Sequence, residues 1–146
     1  MIKWPNDILV NGAKIAGILL EREGQAVVLG FGINITSKPE NLDRPVACIT
    51  DYRDIVGEAG DMVSALNWPL NVFFQNWRKG HHGGFETICS EWLTRAHPIG
   101  TALSVQISED RRIDGLFDGL DEMGALRLRL ADGEVRVIQA GDVFLL

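Results

Sequence analysis

The sequence is short of cysteine: Cys48 and Cys89 are the only two in 146 residues. Two thiols make no disulfide framework, so both are expected to be buried and inert, as in a reducing compartment. Long apolar runs are missing as well. Nothing approaches the roughly 20 residues of a membrane helix, and the start, Met1-Ile2-Lys3-Trp4-Pro5, has no apolar signal core. The expectation is a cytoplasmic protein that engages no membrane. Positive charge is scarce, with 14 Lys and Arg against 20 Asp and Glu and a net charge of −6. That balance argues against general nucleic-acid binding, which needs a cationic face. No phosphate-binding Gly-x-x-x-x-Gly-Lys loop, Cys-x-x-Cys pair or Gly-x-Ser-x-Gly elbow occurs, and Gly30-Phe31-Gly32 lacks the third glycine of a dinucleotide fingerprint.

What is there suits one globular domain or a domain plus a small module, since 46% of residues are hydrophobic and 23% charged. Ile8–Val10, Asn11-Gly12 and Lys14–Glu21 read as a hairpin, because a type I′ turn needs positive φ at both central residues. A third strand is expected over Ala26–Ile35. Residues 37–60, with Pro39 and Pro45, read as a long loop with one short helix. Asp61 is the expected N-cap of a helix running to Lys79-Gly80, kinked or split at Pro69. A second helix puts Phe85, Ile88, Cys89, Trp92 and Leu93 on one buried face. Trp68, Trp77 and Trp92 are read as core, and His81-His82 as solvent-exposed loop histidines. From Thr101 the period falls to 2. Five candidate strands (102–107, 113–120, 126–130, 135–138 and 143–146) predict a small closed barrel of SH3-like type, with a boundary near Pro98–Gly100.

Two patterns could carry chemistry. A two-residue turn sets Leu9 opposite Lys14, and alternation then puts Asp7 on the same face as Lys14, together with Ala16, Ile18 and Leu20. A lysine on an apolar face needs an anion to meet it, or is an edge-strand lysine that blocks aggregation. On the third strand, Val28, Gly30, Gly32 and Asn34 share a face stripped of side chains. That is a surface for close approach by a ligand, with Asn34 reading a planar group, or else a bulge or a crossing strand.

These residues resemble a known family. Lys3-Trp4-Pro5-Asn6-Asp7, Lys14-Ile15-Ala16-Gly17-Ile18-Leu19 and Gly30-Phe31-Gly32-Ile33-Asn34 look like three consecutive motifs of biotin protein ligase. The resemblance continues through Gly84-Phe85, Trp92-Leu93 and Gly141-Asp142-Val143. It implies an α+β fold: a truncated mixed sheet of the class II aminoacyl-tRNA synthetase-like, biotin ligase type with helices over 1–98, then an SH3-like domain over 99–146. It implies ATP, biotin and Mg²⁺ as ligands, and biotinyl-AMP formation followed by transfer to a lysine of the biotin carboxyl carrier domain of acetyl-CoA carboxylase. Lys14 and Asp7 would be catalytic, with Asp7 also at the metal. Lys3, Asn6, Lys14, Gly17, Gly30, Gly32 and Asn34 would bind ligand, Asn34 at the adenine. Family members also carry an arginine- and glycine-rich loop upstream of the first motif, which these 146 residues do not include. The chain alone is therefore expected to make adenylate poorly and to expose a sheet surface that favours a homodimer. A non-catalytic relative that binds a partner or acceptor is the alternative.

Overall fold

Asn11 and Gly12 take φ of 49° and 81°, so the Asn-Gly pair forms the tight turn that its conformational preferences dictate. In the computed structural model, described for residues 1–42, 44–54, 59–80 and 83–146, that turn joins β2 (Asp7–Val10) to β3 (Ala13–Glu23). β1 (Ile2–Lys3) and β4 (Ala26–Ile33) flank them, giving a sheet in the order β1-β2-β3-β4. Its ladders are antiparallel, with one parallel bridge between Lys14 and Val46. A bulge between Ile8 and Leu9 alters the expected register. Leu9 does face Lys14, but Ile8 faces Ala16 and Asp7 faces Gly17. The extra residue inverts parity along β3. Ala16, Ile18 and Leu20 therefore lie on the face opposite Lys14, and Gly17 and Leu19 take their expected places beside it.

The second sheet runs β8-β7-β6-β5-β9, with β5 (Ala102–Ser108), β6 (Arg111–Leu120), β7 (Leu126–Arg129), β8 (Val135–Ile138) and β9 (Asp142–Leu145). All five expected strands are present. The expected closed barrel is not: β8 and β9 end the sheet without a ladder between them. The connection between them passes tightly across the end of β5. A Cβ at Gly141 would stand 2.7 Å from the Gln106 carbonyl oxygen, so the chain crosses from one edge to the other as irregular backbone. Leu103, Val105, Phe117, Leu126, Leu128, Ile138 and Val143 form the core here. Trp4 joins them from the first motif, and Trp92 and Leu93 of the second helix pack against them. The two sheets thus share apolar contacts across residue 98.

Helix α1 (Ala59–Arg78) starts before Asp61, which lies in its first turn rather than at the cap, and Pro69 sits inside one continuous element. Trp68 is 75% exposed and Trp77 40% exposed, so neither is the core residue that helical spacing suggests. Helix α2 (Gly84–Leu93) does turn Ile88, Cys89, Trp92 and Leu93 inward, with Phe85 exposed and Cys89 half-buried rather than fully so. Within the irregular stretch the short helix is a 3₁₀ turn over Ile49–Asp51. His81-His82 lies outside the described residues.

Candidate active site

The bulge in β2–β3 builds the site. It sets Asp7 opposite Gly17, and without a side chain at 17 the Lys14 chain can fold back over the sheet. A Cβ at Gly17 would sit 3.2 Å from Lys14 Nζ and 3.7 Å from Asp7 Oδ1. Asp7 is 4% exposed and Lys3 7%. Lys14 Nζ ion-pairs with Asp7 Oδ1, and Lys3 Nζ lies 3.0 Å from Asp7 Oδ2. Lys3 also donates to the Val143 carbonyl at 2.6 Å, so β9 fixes the far end of the cluster. Burial pushes the Asp7 carboxyl up. Hydrogen bonds from Lys14 and Lys3, with their charges, outweigh it and hold Asp7 below the usual carboxylate value. Beside Lys3, burial and then the lysine's charge keep the His97 imidazole below its ordinary value.

From this cluster a lane of bare backbone leads away. Gly17 pairs with Gly32 and Leu19 with Gly30, so the Lys14 face offers two glycines on β4 and one on β3. Asn6, Lys14, Gly17, Leu19, Gly30 and Gly32 line the resulting shallow trough. A Cβ at Gly32 would meet nothing within 4 Å. The protein's own packing therefore does not require glycine there. Side-chain-free strand with open space above it suits a ligand laid along the sheet.

Two expected ligand-binding amides have structural duties. Asn6 donates Nδ2 to the Ile18 carbonyl at 2.6 Å, stapling the first motif to β3. Asn34 donates Nδ2 to the Ala47 carbonyl at 3.0 Å, while its backbone carbonyl accepts from Ile49. These bonds bring the irregular stretch back against Lys14, whose backbone bonds Pro45 and Ala47. Arg44 is thereby delivered to a second cleft, lined also by Lys3, Asp7, Leu9, Lys14, Pro45 and Phe144. Sequence reading passed over Arg44. It lies in an irregular loop, and the parallel bridge that places it has no local signature.

Asp7 gives both oxygens to lysines, and no cluster of three His, Cys, Asp or Glu occurs among the described residues. A lone carboxylate already shared by two ammonium groups is a poor magnesium ligand, since Mg²⁺ demands near-octahedral oxygen ligation. The described residues do not build a protein-held magnesium site.

The arrangement as a whole has known counterparts. The fold matches biotin protein ligase from Aquifex aeolicus, apo at TM-score 0.78 and 19% identity over 99% of this chain and 65% of that one. Its complex with biotin and ATP matches at TM-score 0.77 over 62% of that chain. The fold is thus that of biotin ligase structures: a four-stranded sheet with helices, followed by a C-terminal β domain. Residues 1–36 match the biotin/lipoate A/B protein ligase family, and residues 104–146 the biotin protein ligase C-terminal domain. A biotin–[acetyl-CoA-carboxylase] ligase of Paracoccus denitrificans is 38% identical over 98% of this chain and 62% of its own length. One of Mycobacterium tuberculosis is 31% identical over 97% and 52%. A bifunctional ligase/repressor of Bacillus subtilis is 32% identical over 97% and 45%. The chain belongs to the biotin protein ligase family, and it spans between about half and two thirds of the length of these relatives. No helix among the described residues is long and apolar enough to cross a membrane.

Proposed function

We propose that this chain forms the C-terminal part of a biotin–[acetyl-CoA-carboxylase] ligase, acting in the cytoplasm, with residues 1–98 as catalytic sheet and 99–146 as C-terminal domain. The observation that carries the reading is Lys14 at the head of the glycine lane, held by Asp7. In the first step the biotin carboxylate oxygen bonds to the α-phosphorus of ATP, and the bond to the β-phosphate oxygen breaks with its electron pair. Lys14 supplies the cation where charge develops on the α-phosphate. Asp7 acts by holding both lysines in place. Gly17, Gly30 and Gly32 let the adenylate lie on backbone, and the remaining Asn34 hydrogen-bonding capacity reads adenine. Any magnesium accompanying the nucleotide would be held by its phosphates, where it would offset their charge, rather than by a protein cage. In the second step a lysine of the biotin carboxyl carrier domain attacks the acyl carbon and AMP departs.

The test titrates a non-hydrolysable biotinyl-adenylate sulfamide analogue into two proteins and follows tryptophan fluorescence. One is this chain; the other is this chain joined to the upstream segment of the Paracoccus denitrificans ligase. The joined protein should bind and should release pyrophosphate from biotin and ATP. Lys14→Ala in it should lose at least 10²-fold in rate, about what one preorganised donor supplies. This chain alone should turn over poorly. Full activity of the lysine variant would remove Lys14 from the site.

A second reading has its own observation. Leu19, Leu20, Val27, Val28 and Phe31 are all more than two-fifths exposed around the free edge of β4, a surface suited to pairing with another chain. Such a surface serves a homodimer, or a relative that binds a partner without catalysis. Light scattering at micromolar concentration decides the dimer, and a clean monomer rejects it.

A further inference from the structure

Lys14 stands between two clefts, and only one of them is the glycine lane. The other, about 180 Å³, lies between the hairpin and β9. Its charge is unbalanced. Lys3, Lys14 and Arg44 face one anion, Asp7. Lys3 is engaged with Asp7 and the Val143 carbonyl. Lys14 keeps a quarter of its side chain exposed, at 26%. Arg44 makes no ion pair among the described residues. The rest of the lining includes the apolar Leu9, Pro45, Phe144 and Leu145. A site where three cations meet one anion, with Arg44 outside every ion pair among the described residues and apolar lining beside it, suits a small multivalent anion, and a guanidinium binds phosphate oxygens two at a time.

We propose that Arg44 and Lys14 hold the pyrophosphate leaving group in this cleft, so that Arg44 is a residue of the adenylation site. The proposal rests on the ligase reading above. Displacement at phosphorus puts the attacking and leaving oxygens roughly in line. With the carboxylate and nucleoside on the glycine lane, the leaving group must depart on the far side of the α-phosphorus. Lys14 lines both the trough and this cleft, which otherwise share no lining residue. Lys14 bridges both regions and follows the charge as it moves from the α-phosphate to pyrophosphate. The bonds from Asn34 to Ala47 and from Lys14 to Pro45 and Ala47 position Arg44 before any ligand arrives.

The experiment is isothermal titration of this chain with inorganic pyrophosphate in EDTA, repeated for Arg44→Gln and Arg111→Gln. Arg111 is a cation on the rim of a separate pit in the second sheet and reports diffuse charge effects. Circular dichroism checks that each variant is folded. The expected result is saturable binding of one pyrophosphate, weakened at least tenfold by Arg44→Gln and unchanged by Arg111→Gln. Arg44→Lys should recover part of the loss. Unaltered binding in Arg44→Gln overturns the proposal, as do equal losses in both variants or no saturable binding at about 1 mM pyrophosphate. The sulfamide analogue separates the two claims. If it fails to bind the joined protein while pyrophosphate still responds to Arg44, the cleft stands and the ligase reading falls. If it binds and pyrophosphate ignores Arg44, the reverse holds.

Discussion

The two sheets of this protein spend their side chains differently. In the second, Leu103, Val105, Phe117, Leu126 and Leu128 are buried to within 2% of completely, and the core closes around them. The first buries an ion cluster, Lys3 and Asp7, while Val27, Val28 and Phe31 face outward. One sheet therefore carries stability, and the other displays an open surface and is anchored to it. The anchors are visible: Trp4 inserts into the second core, its indole donating to the Gly124 carbonyl at 3.1 Å, and Lys3 bonds the Val143 carbonyl. A strand face stripped of side chains cannot also be a well-packed core, so its support has to come from elsewhere.

The largest expected effect tests that division directly. Phe117→Ala should destabilise the chain by about 3–5 kcal/mol, the range for a fully buried aromatic. Phe117 is 1% exposed and meets Trp92 edge-on, with ring centroids 6.4 Å apart. Phe31→Ala, at a residue 43% exposed, should stay within about 0.5 kcal/mol. Denaturant unfolding measures both, and comparable losses would break the comparison.

The next effect concerns the ion cluster, where the two sheets meet. Asp7→Asn leaves Lys3 buried with a single carbonyl, and should cost about 3 kcal/mol, as for a broken buried pair. Its pH signature has a definite sign. The folded-state Asp7 carboxyl titrates below its ordinary 3.8. Its stabilisation is therefore fully present above that value and is lost as pH falls through the lower folded value. Asp51, held down to about 2 by Lys38 and the Cys48 amide, titrates in the same direction. Asp51 is exposed, so salt should screen its share and leave that of Asp7. Acid unfolding of Asp7→Asn should be flatter below about pH 4. An unchanged acid limb would mean that Asp7 titrates normally.

The legibility of the two sheets in sequence also differs. The five strands of the second are announced by period-2 patterning and glycine turns, and all five occur. Its closure is not legible, because whether the edge strands β8 and β9 pair depends on how the chain at Gly141 crosses Gln106. In the first sheet the Asn11-Gly12 turn is local chemistry and reads correctly. Asp7 beside Lys14 also reads correctly, although the bulge at Ile8 and Leu9 changes which β3 residues join them. A bulge leaves no mark on an alternating pattern this short. Arg44 escapes notice because its placement comes from hydrogen bonds to Lys14 and Asn34, not from its neighbours in sequence. Trp68 and Trp77 mislead in another way: helical spacing identifies an apolar stripe but not whether anything in these residues covers it.

The smallest expected stability change is the sharpest probe of the lane. Glycine in a strand interior is unfavourable by roughly 0.5–1 kcal/mol against alanine, through backbone entropy. If Gly32 served only packing or conformation, alanine there would have to clash or strain. Neither applies: a Cβ would find open space, and Gly32 is not among the glycines with positive φ. Gly32→Ala should therefore hold or slightly raise the unfolding free energy. The new methyl group would stand above the trough beside Gly17, where the adenylate is proposed to lie against backbone. Binding of the sulfamide analogue by the joined protein should weaken at least tenfold, about 1.4 kcal/mol. Gly24→Ala, at a turn with φ of 61°, should do the opposite, lowering stability while sparing the ligand. If Gly32→Ala binds the analogue normally, the bare strand is not a ligand surface, and the glycines of β4 need another explanation.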